Sequence, residues 1–432
     1  MFSKFCLRSC TAILFSVTLL TVQQAMADEI DVWIGTSADG IYFATLDTDK
    51  GKLSKPILAA SVKRPGFLAL HPNGKTLYAT VAEESGSVVA FSIGSNDEEA
   101  ITRIKKMLLE LEVLRAEAKS KFGASHPRVK GVEKQIKAFK ASIADLENDD
   151  PKKKGQLTRL NGLSTGDGGA ACIGTDKTGR VLFSAQYGGG STTSYTVKEN
   201  GELDDRVEVV EHGPGSGVLK DRQKKSHPHW VGTSPDNRYL MVPDLGMDRV
   251  VVYELDVETA KLKLHSKIET PPGSGPRHMK FHTTGKFVYV LNELSLTVSV
   301  FEYGAENAEF KEVQVIETLP EKVKAKESFN SAAEIRIHPS GNFVYTSNRG
   351  NDSITVFSVD QATGKLTFVE REAIRGSWPR NFNLDPTGKW LIAAGQHSNT
   401  LTLFNVDQKT GELTFARESV DVPQPICVLF GS

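Results

Sequence analysis

Residues 277–301 read RHMKFHTTGKFVYVLNELSLTVSVF. The order is an apolar segment, a tight turn at Gly285, an aromatic-rich segment, a polar loop and a last segment that ends in Phe301. Runs of β-branched and aromatic residues separated by turn residues are typical of short antiparallel strands. This stretch therefore predicts three consecutive strands of one sheet.

The same order recurs along most of the chain. Further copies begin at Gly66, Ala171, His229, Ala333 and Arg380, and a fourth strand is predicted after each copy. The turn residues of four successive copies lie 48, 56 and 47 residues apart, at Asn237, Gly285, Gly341 and Gly388. Four short strands in each ~40–50 residues are typical of a propeller blade.

A seventh copy is divided between the two ends of the chain. Residues 426–430 supply an innermost strand, and segments that begin at Val32, Gly40 and Gly51 supply the outer strands. Pairing the two ends protects edges that would otherwise be open. The sequence thus predicts an all-β, seven-bladed β-propeller that is closed by N- and C-terminal strands in one blade.

The first 27 residues have the pattern of a secretory signal peptide. Lys4 and Arg8 precede an apolar run over residues 11–22, and Ala25-Met26-Ala27 is a small-residue cleavage site. The apolar run is shorter than the ~20 residues that span a bilayer, although a membrane anchor is the alternative. We expect a periplasmic or secreted protein that has no membrane contact after cleavage.

Composition limits the class of partner. The chain has 432 residues with 52 basic and 53 acidic side chains, so its net charge of −1 offers no basic surface for nucleic acid. After the signal only Cys172 and Cys427 remain, in one column of the repeat but on blades 2 and 7. Because blade 1 separates them, we expect two buried free thiols.

Residues 95–154 interrupt the repeat and divide the propeller into 28–94 and 155–432. Leu108 and Leu111, and later Val132 and Ile136, keep helical spacing, and Pro127 suits the start of a second helix. The pattern predicts an inserted two-helix hairpin of coiled-coil type. Residues 97–154 are interpreted either as an arm for a protein partner or self-association, or as an insertion that packs only on itself.

Two columns of the repeat locate a candidate site. In a propeller, the loop before the innermost strand and the loop between the second and third strands open on the same face. The residues that we expect to converge there are His229, Arg277, Glu293, Arg349 and Arg380, with Asp244 and Gln396 beside them. His71, His282 and His338 share another column, and we expect them to be structural.

Arginines, an imidazole and a carboxylate suit binding of an anion together with proton transfer. A guanidinium donates two parallel hydrogen bonds to a carboxylate or phosphate, and His or Glu can move a proton. We predict catalytic roles for His229, Glu293 and Arg277. We predict substrate binding by Arg349, Arg380, Asp244 and Gln396. The alternative is that these charges only satisfy one another at a wet channel entrance.

Four long segments resemble a known family. They are GSGPRHMKFHTTGKFVYVLNEL (273–294), SHPHWVGTSPDNRYLMVPDLGMDRV (226–250), YTSNRGNDSITVF (345–357) and WPRNFNLDPTGKWLIAAGQHSNTLTLF (378–404). These segments resemble the cycloisomerase-2, or lactonase, family of seven-bladed β-propellers. The resemblance covers nearly all of 30–94 and 155–432 and excludes the helical insertion.

The resemblance implies lactone chemistry in the central channel. The family includes 6-phosphogluconolactonases and muconate lactonizing enzymes, and the latter are thought to use a histidine, two arginines and a glutamate. Carried over by motif, these residues are His229, Arg277, Arg349 and Glu293. The arginines would hold an anionic group and the oxyanion, and His229 or Glu293 would be the base. Neither reaction requires a metal or another cofactor.

Our expectation is therefore an exported carboxylic ester hydrolase that acts on an anionic or sugar-derived lactone, as 6-phosphogluconolactonases do. A muconate-type cycloisomerase with a carboxylate substrate is the first alternative. A non-catalytic propeller scaffold is the second. Export creates a tension, because phosphorylated sugar lactones and muconates are normally cytosolic, so the fold indicates the reaction class better than the substrate.

Overall fold

The computed structural model describes residues 29–83, 86–94, 97–123, 126–147 and 154–431. The predicted signal peptide, residues 1–27, lies outside the described residues. None of the helices within these ranges is long and apolar enough to cross a membrane.

The described strands form seven sheets, and each is one blade. The chain starts in blade 7 with β1 (Glu29–Thr36), β2 (Ile41–Asp47), β3 (Lys52–Leu53) and β4 (Ile57–Ala60). Blade 1 follows with β5 (Leu68–Leu70), β6 (Thr76–Val81), β7 (Ser87–Ile93) and β8 (Leu157–Ser164). Blade 2 contains β9 (Cys172–Thr175), β10 (Val181–Gln186), β11 (Ser191–Val197) and β12 (Leu203–Glu211). Blade 3 contains β13 (Gly232–Thr233), β14 (Tyr239–Asp244), β15 (Arg249–Asp256) and β16 (Lys261–Glu269).

The remaining blades have the same order. Blade 4 contains β17 (Pro276–Phe281), β18 (Phe287–Asn292), β19 (Thr297–Gly304) and β20 (Glu309–Glu317). Blade 5 contains β21 (Ser331–Ile337), β22 (Phe343–Arg349), β23 (Ser353–Val359) and β24 (Leu366–Ala373). Blade 6 contains β25 (Pro379–Leu384), β26 (Trp390–Gly395), β27 (Thr400–Val406) and β28 (Leu413–Asp421), and β29 (Pro425–Phe430) returns the chain to blade 7.

The two ends of the propeller close in blade 7, as predicted. Strand β29 pairs with β1 in antiparallel register, with Val32 opposite Phe430 and Ile34 opposite Val428. This pairing makes β29 the innermost strand of a sheet whose other strands come from the start of the chain. The predicted all-β, seven-bladed fold is confirmed.

The hydrophobic core lies between neighbouring blades. Phe287, Tyr289 and Val300 of blade 4 pack against Ile335 and Phe357 of blade 5 in one buried cluster. Each blade therefore buries both of its faces, which explains why the second strands read as continuous apolar runs instead of alternating ones.

The repeated histidines hold adjacent blades together. His282 Nε2 lies 2.9 Å from the carbonyl oxygen of Gly341 in the next blade, and His71 and His338 make the equivalent contacts with their neighbouring blades. Gly341 has a φ of 77°, and a Cβ there would lie 2.8 Å from His282 Nε2. The prediction that these three histidines are structural is confirmed.

The insertion is a two-helix hairpin, as predicted, and the chain enters and leaves it between β7 and β8. Helix α1 spans Asp97–Phe122 and helix α2 spans Pro127–Glu147. Val129 and Ile136 are buried in this unit, and Lys140 pairs with Glu112 at 3.2 Å. A short third helix, α3 (Glu321–Lys324), lies in the connection between blades 4 and 5.

Cys172 and Cys427 are free and buried, as predicted. They lie on β9 of blade 2 and β29 of blade 7. Burial raises the pKa of both thiols, to about 11 for Cys172 and about 12 for Cys427, so both remain protonated at neutral pH.

Candidate active site

A cavity of about 470 Å³ lies where the innermost strands begin, and we call it the active-site cavity. The charged and aromatic side chains that line it are Arg64, Tyr187, Arg222, His229, Glu293, Arg349 and Arg380. Small or apolar residues from blades 1, 2 and 7 complete the wall, among them Gly66, Ala171 and Ile426. Four of the predicted site residues, His229, Glu293, Arg349 and Arg380, are therefore brought together.

Bulges at the start of innermost strands set the positions of the predicted site residues that lie there, Arg277 and Arg380. In blade 4, Pro276 pairs with Asn292 and His278 pairs with Leu291, so Arg277 is the extra residue of a bulge. Arg380 occupies the same position between Pro379 and Asn381 in blade 6. A bulge turns its extra residue away from the regular alternation of side chains, which is why it commonly lies beside a functional site.

Glu293 is the centre of the charge network. Its Oε2 accepts from Arg277 Nε at 2.9 Å and lies 3.0 Å from Arg349 Nη2, while its Oε1 accepts from Arg222 Nη2 at 2.7 Å. Burial alone would raise the pKa of Glu293, but Arg349 and Arg277 lower it to about 2. Glu293 is therefore an ionised anchor that orients three guanidinium groups.

Arg277 lies behind the wall of the cavity. It is completely buried, and its Nη1 donates to the carbonyl oxygen of Ala333 and contacts His278 Nε2 at 3.0 Å. His278 Nδ1 lies 2.9 Å from Glu334 Oε1. Because Arg277 can only donate, His278 must accept at Nε2 and donate from Nδ1 to Glu334. Burial lowers the pKa of His278 to about 3, which fits this neutral form.

His229 presents an unengaged imidazole to the cavity. The ring makes edge-on contacts with Tyr187 and His278, each at a centroid distance of 5.3 Å. Its Nδ1 is buried and has no hydrogen-bond partner among the described residues. Burial, reinforced by the nearby charge of Arg277, holds the pKa of His229 well below its ordinary value. His229 is thus neutral at pH 7 and able to accept a proton.

Arg380 is a cation that feels the attraction of Glu293 but forms no ion pair with any described residue. Its guanidinium makes no hydrogen bond or ion pair with any residue that the structure describes, and its Nε is buried. Burial and the proximity of Arg349 lower the pKa of Arg380 to about 10, so the group stays charged at neutral pH. Arg349, by contrast, binds Glu293 and donates from Nη2 to the carbonyl oxygen of Ala332 at 3.1 Å.

Asp244 and Gln396 are placed differently from the other predicted residues. Asp244 Oδ2 contacts His212 Nδ1 at 2.9 Å, and its Oδ1 accepts from the backbone of His227 at 2.7 Å, so the carboxylate stabilises a loop and does not line the cavity. Gln396 donates to the hydroxyl of Ser37 at 3.0 Å, and Ser37 is the residue that reaches the cavity.

Arg222 was missed by the sequence reasoning. It lies in the long connection between β12 and β13, where Nη2 donates to both Glu293 and the Tyr187 hydroxyl, the latter at 3.2 Å. Burial opposes its charge, but these partners raise the pKa of Arg222. The only sequence signal was the unusual length and basic character of that connection, because it has no counterpart in the repeat.

The described residues include no group of three or more His, Cys, Asp or Glu side chains that is arranged to hold a metal ion. The chemistry that this site offers comes from the free imidazole of His229, from the guanidinium groups of Arg380 and the exposed Arg64, which have no side-chain partner among the described residues, and from the arginines held by Glu293. Such a set can bind an anion, stabilise a developing oxyanion and move one proton.

Comparison with known proteins places this chain in a family. A model of the lactonase family of seven-bladed β-propellers matches residues 31–110 and 132–430. The 6-phosphogluconolactonase of Bacillus subtilis (strain 168) is 33% identical over 405 residues, which cover 92% of this chain and 97% of the relative.

Solved structures agree with this placement. The periplasmic gluconolactonase of Pseudomonas aeruginosa has a TM-score of 0.74 and 27% identity over 94% of this chain and 99% of its own. A Bacteroides fragilis protein has the same TM-score and 26% identity over 94% of this chain and 99% of its own. The chain therefore belongs to the lactonase family of seven-bladed β-propellers.

Proposed function

We propose that the protein is an exported lactonase that hydrolyses a sugar-derived lactone of the gluconolactone type in the active-site cavity. The observation that carries this proposal is that one cavity is lined both by Arg380, a cation that forms no ion pair among the described residues, and by His229, an unengaged neutral imidazole. Lactone hydrolysis needs both groups, because negative charge develops on the carbonyl oxygen while the attacking water loses a proton.

Arg380 and Arg349 are the oxyanion donors in this proposal. Arg349 is oriented through Glu293 and the Ala332 carbonyl, whereas Arg380 has its guanidinium unused. A donor that is already oriented costs no reorganisation when charge develops, and one such donor is worth about 10²–10³ in rate. The product carboxylate would occupy the same guanidinium groups.

His229 is the general base in this proposal, and Glu293 is a positioning residue. A carboxylate whose pKa is about 2 and which is held by three arginines is a poor proton acceptor near neutral pH. The imidazole of His229 is neutral there and unengaged. Bound negative charge beside Arg277 and Arg380 would offset their effect on His229 and raise its proton affinity in the transition state.

The reaction then has two steps. Water attacks the lactone carbonyl carbon as His229 takes its proton, and the carbonyl electrons move to an oxyanion that faces Arg380 and Arg349. The tetrahedral intermediate collapses by breaking the bond between that carbon and the ring oxygen. The ring oxygen leaves with the proton from the His229 imidazolium, which yields the open hydroxy acid and the neutral base.

Export is part of the proposal and rests on two supports. The first is the signal pattern in residues 1–27. The second is that the P. aeruginosa relative is called a periplasmic gluconolactonase. Detection of a mature protein that begins at Asp28, by mass spectrometry of a periplasmic or culture fraction, tests it. Retention of the full chain in the cytoplasm would contradict it.

The function is tested by assaying the mature protein on glucono-δ-lactone and 6-phosphogluconolactone, with the spontaneous opening rate subtracted. His229→Asn is expected to lower kcat/KM by about 10²–10⁴, the range for losing a general base. His397→Asn is the matched control, because this exposed imidazole stacks on Trp378 at 4.6 Å and does not line the cavity. A higher kcat/KM for 6-phosphogluconolactone than for glucono-δ-lactone would show that the site recognises a phosphate.

Two outcomes would overturn the proposal. Absence of turnover on every lactone, with intact folding, would favour a non-catalytic scaffold. Conversion of an unsaturated dicarboxylate into a lactone, without hydrolysis of preformed lactones, would favour a cycloisomerase. Equal activity of His229→Asn and wild type would remove His229 from the mechanism.

A further inference from the structure

A second cavity, of about 510 Å³, lies further along the propeller axis, and we call it the axial cavity. It is lined by the innermost strands of all seven blades and shares no lining residue with the active-site cavity. The two cavities adjoin along the axis, because consecutive residues such as His229 and Trp230, or Ile426 and Cys427, line first one cavity and then the other.

The charges of the axial cavity do not balance. Its charged lining residues are two cations, Lys280 and Arg336, and one carboxylate, Glu334. Glu334 is completely buried, and the nearby Arg336 and His278 offset the effect of burial and keep its pKa below the ordinary value. The carboxylate is thus ionised, and the cavity keeps an excess of one positive charge.

Glu334 makes its hydrogen bonds to donors other than Lys280. Its Oε1 accepts from Arg336 Nη1 at 3.0 Å and from the backbone of Ile335 at 2.9 Å, besides the contact with His278. Its Oε2 accepts from the side-chain amide of Asn381. Each oxygen of the carboxylate is engaged without the ammonium group.

The Lys280 ammonium group has no hydrogen-bond acceptor among the described residues. Its recorded contact is with the face of the Trp230 ring, with Nζ 4.8 Å from the centroid. Burial and the charge of Arg336 lower the pKa of Lys280 to about 8, which leaves it mostly protonated at pH 7. Arg336 uses Nε and Nη1, and its Nη2 also lacks a partner in the described part of the chain.

An ammonium group that is partly buried and makes no hydrogen bond is costly even with Glu334 nearby, and the donors left over on Lys280 and Arg336 can be satisfied by an oxyanion. We propose that the axial cavity is a binding site for a small oxyanion, of the phosphate or carboxylate class, held by Lys280 and Arg336. Solvent can reach it, because Lys280 is only partly buried and the Arg336 side chain is 17% exposed.

The proposal goes beyond the lactonase reaction and can fail independently of it. Crystals of the wild-type protein grown with sodium selenate would locate a tetrahedral dianion directly by anomalous scattering at selenium. We expect a selenate within hydrogen-bond distance of Lys280 Nζ. Selenate only in the active-site cavity, or in neither cavity, would overturn the proposal for tetrahedral anions.

Calorimetric titration in solution supplies the affinity and distinguishes the two anion types. Inorganic phosphate and acetate are titrated separately into wild type, Lys280→Met and Lys280→Arg. The preferred anion should bind at least about 10-fold more weakly to Lys280→Met, while Lys280→Arg, which keeps the charge, retains most of the affinity.

Arg380→Gln is the matched control, because it removes a cation from the active-site cavity alone. Its axial binding should equal that of wild type, with the unfolding midpoint of each variant measured in parallel. Unchanged binding to Lys280→Met, or binding seen only at crystal concentration, would overturn the assignment.

Discussion

Arg277 and Glu293 form an ion pair at the head of blade 4, with Arg277 Nε 2.9 Å from Glu293 Oε2. The two residues are sixteen positions apart and belong to adjacent segments of the same blade. Glu293 reaches the cavity, whereas Arg277 is completely buried behind it. The pair therefore works as a support: Arg277 fixes Glu293, and Glu293 fixes Arg349 and Arg222 at the wall.

Glu293→Gln should destabilise the protein. Breaking a buried ion pair leaves uncompensated charge and costs about 3–5 kcal/mol, and here three guanidinium groups lose their common anion. The free energy of unfolding from urea titration at pH 7 measures the effect. The control is Glu83→Gln, which breaks a partly exposed pair with Arg159 and should cost at most about 1 kcal/mol. Equal costs for the two variants would contradict the support role.

The same variant should change the acid dependence of stability. Folding lowers the pKa of Glu293 from 4.5 to about 2. Its contribution to the free energy of unfolding is therefore complete above pH 4.5 and is lost as the pH falls towards 2. The stability difference between wild type and Glu293→Gln should therefore be constant near neutral pH. Between pH 4.5 and about 2, the difference should shrink by about 1.4 kcal/mol per pH unit. A difference that does not depend on pH would contradict the lowered pKa.

Arg380→Gln should reduce activity without reducing stability. The guanidinium forms no ion pair with a described residue, so its removal breaks none, and the relief of burial and of repulsion with Arg349 outweighs the lost attraction of Glu293. We expect kcat/KM to fall by about 10²–10³ and the unfolding midpoint to stay equal or rise. Arg375→Gln, in the connection between blades 5 and 6, removes a partly exposed pair with Glu372 and a contact with the Phe415 ring, and should keep full activity. A lower midpoint for Arg380→Gln would indicate a structural role.

The pH profile of kcat/KM should report His229. A general base acts only when it is unprotonated, and the pKa of His229 lies well below its ordinary value because of burial and the charges of Arg277 and Arg380. The apparent pKa of the acid limb should therefore lie below the ~6.5 of an unperturbed imidazole. Arg380→Gln should move that limb to higher pH, since one of the cations is gone. A limb at or above the unperturbed value in wild type would contradict this account.

Removing the helical hairpin should leave the propeller intact. Gly94 N donates to the carbonyl oxygen of Gln156 at 2.9 Å, so the ends of β7 and β8 are close enough for a two-residue turn. Replacing residues 95–155 with Asn-Gly should therefore preserve the unfolding midpoint and the lactonase rate. A mass of two or more chains for the full-length protein, with the mass of one chain for the shortened protein, in light scattering would identify the hairpin as a self-association arm. Failure of the shortened chain to fold would contradict the prediction.

Much of the fold could be predicted from the sequence because the repeat is local. Each copy carries its own strands and turn, so the blades and the closure through residues 426–430 follow from pattern alone. The repeat also aligned His229, Glu293, Arg349 and Arg380 on one face, and the structure brings these four to one cavity.

Other features of the site depended on contacts between blades. The bulge that holds Arg277, its complete burial, and the contact of Asp244 with His212 arise from how neighbouring segments pack. Arg222 comes from a connection outside the repeat, so no column could place it beside Glu293.

The sequence by itself therefore determined a seven-bladed propeller with a helical insertion, and the face on which an arginine, histidine and glutamate site would form. Only the tertiary structure decided which of those charges are paired and which are free. The reason is that strand periodicity is encoded within each copy, whereas ion pairing around the axis depends on distances between strands that are far apart in the chain. That difference separates Glu293, held by three arginines, from His229 and Arg380, which remain available for chemistry.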